Sequence, residues 1–117
     1  MSKGSKRLVR AMAVLVEATE DLREVLDRYE TVSQEVATRV EHGELLAEAL
    51  EAVGGPVQRR EVTDTLDRFE TARHQVRLAM FALGEEQGTG ISELGRQLAF
   101  SRQLSSRLAS EAKERFS

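Results

Sequence analysis

The chain contains no cysteine. Disulfides, thiolate metal sites and cysteine nucleophiles are therefore excluded, and a reducing cytoplasm fits. There is one proline in 117 residues, no tryptophan, and only 4% aromatics. So few turn breakers and aromatics argue against a β-sandwich. No apolar run approaches the ~20 residues that span a bilayer. The nearest candidate, Ala11–Val16, follows basic residues as a signal peptide would. It is too short, Arg10 interrupts it, and no small-residue cleavage site follows. Histidine is limited to His42 and His74, and neither has metal-ligand company. Glu70 and His74 stand one turn apart and can share a bond on a helix surface. Gly84–Gly90, GEEQGTG, lacks a Lys-Ser/Thr pair and a preceding strand, so it is not a phosphate loop. Carboxylates such as Glu20 and Glu24 sit on polar helix faces, with no apolar pocket to tune one for acid–base work. The expectation is a soluble, cytoplasmic protein with no enzymatic activity, no cofactor and no metal.

What is present is helical. Charged residues make up 32% of the chain, with abundant Ala, Glu, Leu and Arg. Leu8, Leu15, Leu22, Tyr29 and Val36 recur every seven residues, with Ala11, Ala18, Val25 and Val32 between them. This spacing predicts a long helix from near Lys6 with a coiled-coil seam. Val9, Met12, Ala13, Val14 and Val16 widen the apolar stripe early in that helix. Such a helix needs cover on more than one side. Gly43 breaks or softens it, and Leu45–Val53 resumes an amphipathic run. Gly54-Gly55-Pro56 then marks a turn, because glycine permits a left-handed cap and proline can only begin a helix. From Pro56 to about Leu83 a second long helix carries Val62, Phe69, Val76 and Leu83 at the same seven-residue spacing. Leu26–Thr31 and Leu66–Thr71 match across forty residues. That match fits either a duplication or two helices sharing one seam. A hairpin or an intertwined dimer satisfies both seams.

Charge is unevenly spread. The net is −3, but residues 1–10 carry +4, residues 11–90 carry −9 and residues 91–117 carry +2. Basic ends on an acidic body suit contact with phosphate at the ends. After the glycine-rich loop at 84–90, Leu94 and Leu98 mark a short helix. Ser101 can cap a second helix by accepting a backbone N–H bond. At about 100° per residue, Leu104, Leu108, Ala112 and Phe116 fall on one side of that helix. Arg102, Gln103, Ser106, Arg107, Ser110 and Lys113 fall within roughly 140° on the other. Arginine can pair with the guanine edge, glutamine with the adenine edge, and serine with bases or phosphates.

Glu93–Leu98, Phe100–Gln103 and Arg107-Leu108 together resemble a helix-turn-helix, most like those of sigma factor region 4 and LuxR-type regulators. The resemblance covers about a quarter of the chain. It departs from the family at Ala99, where glycine is usual, and at Ser105, where a β-branched apolar residue is usual. Either Leu104 takes over the packing at Ser105, or the motif is degenerate. The expected fold is all-α: a helical hairpin or coiled-coil dimerisation body over 1–84, then a helix-turn-helix without a β wing over 85–117. Its seam would be Leu8, Leu15, Leu22, Tyr29 and Val36. The long apolar seams, with the broad face at 8–18 left uncovered by a single hairpin, imply a dimer, and the resemblance implies a sequence-specific regulator of transcription that binds double-stranded DNA. Arg102, Gln103, Ser106 and Arg107 would then meet bases. Ser92, Arg96, Ser101 and Lys113 would hold phosphates. Lys3, Lys6, Arg7 and Arg10 would form a non-specific arm. The alternative is a protein-interaction module that binds RNA polymerase or a regulator through a degenerate motif.

Overall fold

The computed structural model describes residues 1–117. It is 85% helical and has no strand. Five helices follow in order: α1 (Lys3–Glu41), α2 (Leu46–Ala52), α3 (Gly55–Glu86), α4 (Ile91–Gln97) and α5 (Arg102–Phe116). No helix is long and apolar enough to cross a membrane. Gly43, at φ 88°, ends α1, and Gly54, at φ 68°, ends α2. The expected loop at 84–90 is shorter than its glycines suggest. Gly84 is helical and buried, because a Cβ there would lie 2.9 Å from a Leu94 methyl. The chain leaves α3 only at Gly88 (φ 78°). There the Gly88 N–H donates to the Glu85 carbonyl (3.1 Å) and the Thr89 N–H to the Gly84 carbonyl (2.8 Å). These two bonds satisfy the free carbonyls of the last turn in a Schellman closure.

The residues form two compact units, one comprising Met1–Val16 with Thr71–Ser117 and the other Glu17–Glu70. In the first unit the start of α1 runs antiparallel to the end of α3. Gly4 is buried there, so close to Leu83 and Glu86 that a Cβ would collide with the Glu86 carboxylate. This half of α3 is buried on two opposite sides. Ala72, Val76 and Ala79 lie on the Leu83 side. Leu78 and Phe81 lie on the other, in one cluster with Leu108 and Ala112 of α5. Leu94, Leu98, Phe100 and Leu104 pack around that cluster. His74 Nε2 meets Glu111 of α5 at 2.5 Å, rather than Glu70 on its own helix.

In the second unit α1 and α3 are again antiparallel, with Arg28 bonded to Glu61. Arg39 ties the last turn of α1 to the turn beyond it through Glu35 and Glu44, both at 3.1 Å. Glu44 first, then Glu35, push its guanidinium above the ordinary arginine range. Val25, Ala49 and Thr65 are buried. Around them α1, α2 and α3 leave an open groove of about 1050 Å³. Tyr29, Val32, Val36, Leu50, Val53 and Val62 are in its wall.

Candidate nucleic-acid interface

The turn between α4 and α5 is set by Ala99, Phe100 and Ser101. Ala99 adopts φ 58°, the one non-glycine residue with positive φ. Its N–H donates to the Arg96 carbonyl (3.1 Å), and the Phe100 N–H donates to the Gly95 carbonyl (2.8 Å). Next, the Ser101 hydroxyl accepts the Leu104 N–H at 3.1 Å and caps α5. Phe100 anchors the turn on α3: its ring stacks on Phe81 at 6.4 Å and lies under the Arg77 guanidinium at 4.9 Å.

Gly95 and Ser105 set how closely the two helices approach. A Cβ on Gly95 would lie 2.2 Å from Ser105 Oγ and 3.1 Å from Ser105 Cβ. Ser105 is buried, and its hydroxyl donates to the Ser101 carbonyl at 2.9 Å. A buried serine therefore costs little here, because its one donor is satisfied within α5. Serine at 105 is matched to glycine at 95.

The pair holds up the polar face of α5. Arg102, Gln103, Ser106 and Arg107 are all exposed, and together they border one shallow recess of about 540 Å³. Ser92 and Arg96, exposed on α4, share a neighbouring cleft of about 700 Å³ with Arg102 and Ser106. Lys113 is also exposed and borders a third recess with Ser106, Ser110 and Ile91. Arg96, Arg102, Gln103, Arg107 and Lys113 have no ion-pair or side-chain hydrogen-bond partner in the chain. Ser101 accepts one bond as the cap, so its own O–H remains free to donate.

The expected arm is helical instead: Lys3, Lys6, Arg7 and Arg10 all lie in the first turns of α1. Arg7 is half-buried, its guanidinium 4.0 Å from the centre of the Phe116 ring. Lys3, Lys6 and Arg10 remain exposed. The seam residues Leu8, Leu15, Leu22 and Val36 are half-buried within the single chain, whereas Tyr29 is 48% exposed. Val9, Met12, Val14 and Val16 stay uncovered.

The compact units keep the charge separation seen along the sequence and gather its two basic ends into one unit. The unit that carries α4 and α5 has eleven Lys and Arg against five Asp and Glu, a net +6. The other has six against fifteen, a net −9. Sequence reasoning missed the Gly95–Ser105 contact and the two arginine–phenylalanine stacks. The one available signal was a small residue at both 95 and 105, ten apart across a turn. No protein-family model, curated protein or solved structure matches the chain.

Proposed function

We propose that the protein is a sequence-specific DNA-binding regulator of transcription that acts as a dimer, with α4 and α5 as its helix-turn-helix. In this reading α5 enters the major groove, and Arg102, Gln103, Ser106 and Arg107 meet base edges. Ser92, Arg96, Ser101 and Lys113 hold phosphates on either side, fixing register without reading sequence. Lys3, Lys6 and Arg10 add to the positive field of the same unit. A cytoplasmic location goes with this role. The observation that carries the reading is the exposed row on α5. Its cations and amide have no partners in the chain, and it stands on a unit of net +6. An unpaired arginine on a protein surface is available to phosphate or guanine, whereas Arg28 and Arg39 of the acidic unit are already paired.

The test is selection of bound duplexes from a random-sequence pool at two salt concentrations, followed by sequencing. An enriched two-fold-symmetric motif is the expected result, with half-sites spaced by the dimer. Salt-sensitive binding without a motif contradicts base reading. Absence of binding at low salt removes DNA altogether. In that case the apolar groove of the acidic unit favours the second reading, a module that docks on RNA polymerase or another regulator.

A further inference from the structure

Two surfaces of the chain have the complementary character of partners. The first is on α1 in the basic unit. Val9, Met12 and Val16, at positions i, i+3 and i+7, form one stripe and are 55%, 39% and 58% exposed. Lys6 and Arg10 flank it, and residues 1–16 contain no acid. This is the outward face of a cationic amphipathic helix. The second is the open groove of the acidic unit, about 1050 Å³ in volume and lined by Tyr29, Val32, Val36, Leu50, Val53 and Val62. Its own lining holds one acid, Glu51, and one cation, Arg59, and the unit that carries it has fifteen carboxylates against six cations. Two of those cations, Arg28 and Arg39, are already spent on Glu61, Glu35 and Glu44.

We infer that the groove of one copy receives the Val9–Met12–Val16 face of a second copy. Charge decides between this and the like-with-like pairings. Groove against groove would bring two units of net −9 together, and stripe against stripe would bring two all-cationic segments together. Like charges facing each other across an interface oppose association, and opposite charges favour it. Groove against stripe removes exposed valine, methionine and leucine from water on both sides while bringing the unit of net −9 against a cationic segment. The contact rests on and deepens the dimeric part of the functional reading above, and two copies close a two-fold dimer when each groove takes the other's stripe.

The test reads association of the full chain without DNA, so its result is independent of base reading. Sedimentation equilibrium at tens of micromolar should give a mass above the 13.1 kDa monomer. Val16→Glu on the stripe and Leu50→Glu in the groove, both at exposed positions, should each give the monomer. Circular dichroism checks that each remains folded. Mixing the two variants should restore a complex, because each supplies the surface the other lacks. The exposed pair Lys6→Glu/Arg10→Glu should weaken association by about tenfold or more, as should raising salt well beyond the screening length. A wild-type chain that stays monomeric overturns the proposal. So does a mixture of the two variants that stays monomeric, and so does one variant that still associates alone, which is the signature of like-with-like contact. Association indifferent to salt and to the charge reversals also overturns it. A monomer that still selects a DNA motif would remove this contact and leave the base-reading proposal standing.

Discussion

At the scale of single residues, Ala99 and Gly95 hold the α4–α5 turn. Ala99 occupies left-handed backbone, where an L side chain costs ~1–2 kcal/mol. Glycine there would relieve that strain but give back part of it through a freer unfolded chain. Ala99→Gly should therefore stabilise the protein by about 0.5–1 kcal/mol, seen as a thermal midpoint a few degrees higher. A lower midpoint would show that the alanine is not strained. Gly95→Ala should cost about 1–3 kcal/mol by overpacking against Ser105. Removing the hydroxyl relieves the closest clash, so Gly95→Ala with Ser105→Ala should recover part of the loss. Urea midpoints of the two single variants and the double variant measure that coupling. Strict additivity would mean the two side chains do not share the space. Ser101→Ala removes the cap of α5 and should cost ~1 kcal/mol.

At the scale of elements, most of the helices were legible because their periodicity and their stops agree. The heptads at 8–36 and 62–83 mark α1 and α3, and Gly43 and Gly54 close their helices with the positive φ that glycine accepts. Ser101 marks the start of α5. Gly84 was not legible. Glycine in a glycine-rich segment reads as loop, yet here its missing Cβ admits Leu94 against a continuing helix. Nor was the role of Ser105 visible, since its buried side chain occupies the space that a Cβ on Gly95 would take. The candidate contact residues were legible as a face of α5, because 100° per residue is enough to separate Arg102, Gln103, Ser106 and Arg107 from Leu104 and Leu108. Their dependence on α3, through Phe100, Phe81 and Arg77, needed coordinates. If α5 reads bases, Arg107→Ala should cost about 1–3 kcal/mol of DNA affinity and relax preference at one position. Arg96→Ala should weaken all sequences alike and flatten the salt slope by about one. Titrations of matched and mismatched duplexes at several salt concentrations separate the two. A sequence-dependent loss at Arg96 would remove it from the phosphate set.

At the scale of the whole molecule, the compact units cut across chain order, and charge goes with them. The sequence shows basic ends and an acidic middle. Only the fold shows that residues 1–16 join α4 and α5 in one unit of net +6. Deleting residues 1–16 should consequently destabilise α5, although none of those residues is placed against bases. Hydrogen exchange on α5 amides would report the loss, and unchanged protection would show that the first turns of α1 contribute nothing there. Leu8 and Leu15 are half-buried in that unit, and Arg7 lies over Phe116.

That stack of Arg7 on Phe116 closes a loop of more than a hundred residues, and it bears on the order in which the protein is made. The acidic unit is one continuous segment, Glu17–Glu70, so all of its contacts are available once that segment has left the ribosome. The basic unit draws its partners from two segments, Met1–Val16 and Thr71–Ser117, on either side of the acidic one. Domains fold as their segments emerge, and distant contacts wait on loop closure. While Glu17–Glu70 is being made, the apolar face of residues 1–16 must therefore remain without its final partners. The surface carrying Arg102 and Arg107 comes into being only after Thr71–Ser117 has followed, so a chain interrupted at Glu70 would carry the acidic unit and none of the assembled basic one.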